Sequence, residues 1–125
     1  MNTKALLTAT ALIEIGTGVA LLVVPSLTAE ILLGEGLSSQ PALLVARVAG
    51  LALLTVGVMC WSGRNGARGA QSGLVAGLLI YNIGVPIALV HAWFALALDG
   101  PGLWPASILH TALAGWCIVC LRPTD

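Results

Sequence analysis

Charge is scarce in this chain. Only 8% of its 125 residues are Asp, Glu, Lys or Arg, five of each sign, whereas ordinary soluble domains carry about 25%. With 58% hydrophobic residues and a mean hydropathy of +1.02, the shortage points to a membrane rather than water as the solvent. A formal net charge of zero excludes a basic face for nucleic acid, and no nucleic-acid partner is expected. Aromatic residues are also few: one Tyr, one Phe and four Trp. No aromatic cluster offers a platform for stacked bases or sugars. The composition never shifts toward a polar stretch, so residues 1–125 read as a single transmembrane domain.

The apolar residues that are present fall into four runs. A helix needs about 20 predominantly apolar residues to span a bilayer, and spans are predicted at 5–24, 41–62, 71–97 and 103–121. The fold class is therefore all-α, a polytopic transmembrane four-helix bundle. Pro25 follows the first span. Ser38, Ser39 and Pro41 supply a cap and a proline start for the second. The polar run Ser62-Gly63-Arg64-Asn65-Gly66 and the turn Asp99-Gly100-Pro101-Gly102 make the remaining breaks. Between the first two spans, residues 26–34 read as a short interfacial helix on the outer surface, with Ser26 as its cap and Gly34 at its end. The first span resembles a secretory signal in having Lys4 ahead of an apolar run. Glu14 interrupts that run, however, and no clear cleavage site follows, so a retained helix is expected.

Four spans place Lys4, the Arg64/Arg68 loop and Arg122 on one side, and Glu30, Glu35 and Asp99 on the other. The positive-inside rule then puts both termini in the cytoplasm of a bacterium and the chain in its inner membrane. Cys60, Cys117 and Cys120 fall toward that reducing side, which argues against a structural disulfide. The C-x-x-C spacing of Cys117 and Cys120 lacks a thioredoxin-like setting, so all three read as small apolar residues. Trp61, Trp93 and Trp104 sit near span ends, where an indole suits the interface.

Membrane helices associate through small residues. Gly69, Gly73 and Gly77 recur at every fourth position at the start of the third span and continue through Gly84 and Ala88. The pairs Gly16/Ala20 and Ala46/Gly50 mark the first two. These are contact surfaces, within one bundle or between copies, and so small a bundle raises the expectation of a homo-oligomer. Pro86 predicts a kink in the third span, and Asn82, whose carbonyl it crowds, is placed to hydrogen-bond across helices.

Four ionisable side chains remain inside the spans: Glu14, Arg47, His91 and His110. A charge at the centre of a bilayer costs roughly 2.5–3.5 kcal/mol on insertion scales, so such residues pair, line a wet cavity or do chemistry. At about 1.5 Å per residue, Arg47, His91 and His110 lie roughly 9–11 Å below the outer boundary and Glu14 about 15 Å below it. All four are expected to converge on one chamber as catalytic or binding groups. Imidazole exchanges protons near neutral pH, and a guanidinium holds an anionic or carbonyl-bearing ligand. The set suits proton transfer on a small lipophilic substrate, of an isomerase-like or quinone type. An alternative is a non-enzymatic accessory subunit or small transporter component, in which a Glu14–Arg47 ion pair and hydrogen-bonded histidines lock the helices. Axial haem ligation by His91 and His110, facing one another across a tight turn, is a narrower option for the cofactor. A zinc or copper site that adds Glu14 is narrower still.

In its size, its Glu-bearing first helix and the segment Ala46-Arg47-Val48-Ala49-Gly50, the chain resembles the small four-helix bacterial membrane proteins grouped as DoxX-like. The resemblance implies the four-helix architecture and carries no catalytic residue across. The thiol-redox role associated with some of those proteins would need more than the Cys117/Cys120 pair.

Overall fold

Each helix starts where a side chain or a proline lets it start. In the computed structural model, which describes residues 2–122, Asn2 caps α1 (Thr3–Val23) by accepting from the backbone N–H groups of Lys4 and Ala5 at 3.0 and 3.4 Å. Ser39 caps α3 (Gln40–Gly63) through the N–H of Ala42, with Pro41 in the first turn, where its missing N–H has no intrahelical partner to lose. Between them α2 spans Pro25–Leu33; α4 (Arg68–Leu96) and α5 (Leu103–Leu121) follow. Among the described residues there is no strand. The helices α1, α3, α4 and α5 are each long and apolar enough to cross a membrane, and each matches its expected span to within a turn.

The short helix differs from expectation in one detail. Ser26 does not cap it. The helix begins at Pro25 without a side-chain cap, and the Ser26 hydroxyl instead accepts from the N–H of Leu37 at 2.9 Å, folding the outgoing loop back on the first turn. Gly34 ends α2 as expected, in the left-handed conformation (φ 84°) that glycine adopts without penalty, with its N–H on the Glu30 carbonyl. The helix then clasps the turn between α4 and α5. Gly102 donates its N–H to the Ile31 carbonyl at 2.8 Å, and Gly100 lies so close to the backbone of Leu32–Gly34 that a Cβ would not fit.

The spanning helices alternate in direction. One end of the bundle, where α1 and α4 begin and α3 and α5 end, carries Lys4, Arg64, Arg68 and Arg122; we call it the basic end. The other carries α2 and the acidic residues Glu30, Glu35 and Asp99. Trp93 and Trp104 meet edge-on there, with ring centroids 5.6 Å apart.

Packing is closest between α1 and α3. A Cβ on Gly18 would lie 2.7 Å from the Gly50 carbonyl oxygen and 2.8 Å from the Leu54 nitrogen, and a Cβ on Gly50 would meet the Gly18 oxygen at 2.8 Å. The two backbones therefore touch, as small residues permit in hydrocarbon. Helix α4 pairs chiefly with α5, and a core of Leu6, Leu7, Val75, Leu78, Leu113 and Cys117 joins the two pairs toward the basic end. The other glycine series behaves differently. Gly69, Gly73, Gly77 and Gly84 of α4 meet nothing within 4 Å, because α4 buries the opposite line, Val75, Leu78, Asn82 and Leu89.

This contrast sets a test. Gly18→Ala and Gly50→Ala should each lower unfolding free energy by about 1–3 kcal/mol through overpacking, read as a lower melting temperature in detergent. Gly84→Ala should melt like the wild type. Equal melting of all three would mean that the α1–α3 contact is looser than described.

Candidate functional site

Polar side chains collect in one layer near the middle of the bundle, above the apolar core. The 3.6-residue period builds it. On α1 the buried line runs through Leu7, Thr10, Glu14 and Gly18; on α5 it runs through Leu103, Ser107, His110, Ala114 and Cys117. Glu14 is 1% exposed, Thr10 and Asn82 are fully buried, and His110 is 8% exposed.

Asn82 fixes the imidazole. Its Nδ2 donates to the Leu78 carbonyl at 2.8 Å, and a carbonyl can only accept, so the amide oxygen is the atom turned toward His110. That oxygen lies 2.7 Å from His110 Nδ1. The proton is therefore on Nδ1, and Nε2 is the ring's basic nitrogen. Tyr81 packs edge-on against the same imidazole, centroids 5.3 Å apart at 88°, and its hydroxyl donates to Glu14 Oε2 at a long 3.4 Å. Two hydrogen-bonded pairs, Glu14–Tyr81 and Asn82–His110, are thus joined by a ring contact. Glu14 Oε1 and Thr10 Oγ1 are buried without a hydrogen-bond partner. Most buried polar atoms in folded proteins have one.

Of the four groups expected to converge, Glu14 and His110 enter this layer, and Arg47 and His91 do not. Both of the latter are exposed. His91 stands nine residues after Asn82, a rotation of about 180° at 3.6 residues per turn, so it occupies the opposite face of α4. Arg47 lies about 60° off the Gly50 line that faces α1. Arg47 stands in the half of α3 nearer the acidic end of the bundle. The Glu14–Arg47 ion pair does not form, and the histidine rings do not face one another across the α4–α5 turn as a haem pair requires. Among the described residues no group of three His, Cys, Asp or Glu side chains comes together. The three cysteines are free thiols.

Tyr81 and Asn82 take the two vacated places. Both carried a signal: a sole tyrosine, and an amide four residues before a proline inside an apolar span. The cross-helix hydrogen bond expected of Asn82 forms, to His110; ranking side chains by charge hid Tyr81, because hydrogen-bonding capacity rather than charge brings it into this layer.

Beside the layer, a half-open cavity of about 290 Å3 separates α3 from α4. Met59 and Cys60 form one wall, Gly73, Gly77 and Leu78 the other, and Tyr81 closes one part of it. The absent side chains of Gly73 and Gly77 create its room. Chemically, the arrangement presents an apolar slot bordered by a phenol that is hydrogen-bonded to a buried carboxyl group. Compared with protein-family models, with curated proteins and with solved structures, the chain matches none of them.

The tautomer is testable. Nitrogen NMR of histidine-labelled protein should show His110 protonated at Nδ1 in its neutral form. Asn82→Ala should abolish that preference and destabilise the fold by about 1–3 kcal/mol, the usual consequence of orphaning a buried partner. A neutral wild-type ring protonated at Nε2 would contradict the assignment.

Proposed function

We propose that this multi-pass membrane protein binds a small lipophilic molecule that enters the α3–α4 slot from the bilayer, and that Glu14 and Tyr81 exchange a proton with its polar group. The observation that carries the reading is Tyr81, which borders the apolar slot and reaches the buried Glu14 carboxyl group. An apolar body in the slot would lie against the Tyr81 ring, and its polar group would have to reach past that apolar wall to the hydroxyl that faces Glu14. Donors and acceptors buried in so apolar a setting act strongly on a ligand, because no water competes. The His110–Asn82 pair then acts as a positioning element, holding Tyr81 through the perpendicular contact of the two rings. By the positive-inside rule, the basic end faces the cytoplasm of a bacterium and the membrane is the inner one.

A second reading is the accessory subunit. The Asn82–His110 bond favours it, since a bond satisfied wholly within the protein can serve to lock α4 to α5. The open glycine line of α4 suits either a ligand or a second copy of the chain.

Solvent extraction and mass spectrometry of protein purified in mild detergent separate the readings. Wild type and His91→Ala should carry the same non-phospholipid molecule. Tyr81→Phe and Glu14→Gln should retain about tenfold less of it, as loss of roughly 1.4 kcal/mol implies, while remaining folded. Gly77→Leu, which fills the slot, should carry none. Wild type without such a molecule, with a native mass twice that of the chain, would favour the accessory reading.

A further inference from the structure

Two oxygens on the inner line of α1, Thr10 Oγ1 and Glu14 Oε1, are buried without a hydrogen-bond partner. Thr10 is fully buried and Glu14 is 1% exposed, so neither is open to bulk water. The threonine stands apart from other hydroxyls of this molecule. Those of Thr8, Thr28, Thr55, Ser72, Ser107 and Thr111 each donate to the carbonyl four residues earlier, at 2.8–2.9 Å. Thr10 makes no such bond to Leu6. Its hydroxyl is left for a partner other than its own helix.

Glu14 follows Thr10 by one helical turn on the same buried line. Side chains four residues apart carry Cβ atoms about 5–6 Å from one another, and these two oxygens make no bond to each other. A single bridging oxygen spans such a gap with bonds of about 2.8 Å to either side. At the other oxygen of the carboxyl group, Oε2 receives only the long 3.4 Å bond from Tyr81. Tyr81 alone therefore holds the group loosely.

Chemistry narrows the occupant. An ionised carboxylate only accepts, whereas the neutral form also donates one O–H. A cation would suit the first form and a pure acceptor the second. A group that both donates and accepts suits either, and water is the smallest such group. Thr10, itself a hydroxyl, can reverse its role to match. The α3–α4 slot is not lined by Thr10 or Glu14, so a lipophile lying in it does not fill this place. We propose that Thr10 Oγ1 and Glu14 Oε1 hold one water molecule between them, and that this water fixes the carboxyl group in both of its protonation states. Buried waters typically satisfy polar groups that the protein itself leaves unpaired. Thr10 is then a positioning residue for Glu14. The inference is independent of the ligand proposed for the α3–α4 slot.

Infrared spectroscopy of the full chain in detergent reads the bond. At a pH low enough to protonate every carboxyl group, subtracting the spectrum of each protein's Glu14→Gln form isolates the C=O stretch of Glu14. Thr10→Val keeps the side chain's shape and removes its hydroxyl, so the stretch should move to higher frequency. Thr10→Ser should restore it, and Thr8→Val, two residues away, should leave it in place. An unmoved stretch in folded Thr10→Val would overturn the proposal. A second measurement needs no mutation: in NMR of threonine- and leucine-labelled wild type, magnetisation from water should reach Thr10 and not Leu7. Absence of transfer to Thr10 would also overturn it. Melting in sodium and in potassium chloride at equal ionic strength should coincide. Stabilisation by one salt that Glu14→Gln abolishes would overturn water in favour of a cation. A Thr10→Val shift that vanishes once co-purified lipophiles are removed would overturn it in favour of a ligand's hydroxyl.

Discussion

A hydrogen bond between Asn82 and His110 organises the middle of this bundle. Hydrocarbon offers no water to a stranded amide or imidazole, so such a group gains from a partner within the protein, on its own helix or a neighbouring one. The bond sets the register of α4 against α5, chooses the imidazole tautomer, and holds the ring where Tyr81 packs perpendicular to it. Tyr81 in turn is the link from this pair to Glu14 on α1. Removing the first contact would loosen a chain of neighbours rather than one side chain.

The bundle divides its labour between two kinds of helix contact. Between α1 and α3 the backbones meet directly at Gly18 and Gly50, which gives dense packing with little room for chemistry. Between α3 and α4 contact is sparse and a cavity remains. Rigid pairing on one side therefore permits an opening on the other. The glycines of α4 make that opening rather than a seam within the chain, although by spacing alone they look like the stronger packing motif.

Much of the architecture was legible in the residues. Span limits follow from apolar length and from breakers such as Pro25 and the Asp99–Gly102 turn, which act locally. The buried line Ser107–His110–Ala114–Cys117 also follows from helical period. The orientation of Arg47 and His91 was not legible, since each shares a plausible small-residue stripe with its neighbours. Which stripe faces inward depends on where the other helices stand, and the period of one helix does not contain that information. Ser26 shows the same limit at short range: a hydroxyl at a helix start has several N–H groups to choose from, and it holds Leu37.

The clasp between α2 and the α4–α5 turn has a further consequence. Its central bond runs from one main chain to another, Gly102 to Ile31, and its tight contact is with backbone at Gly100. Such a closure does not care which side chain Ile31 bears. The side chain at Ile31 is thus free to drift in evolution, while the two glycines opposite it are not.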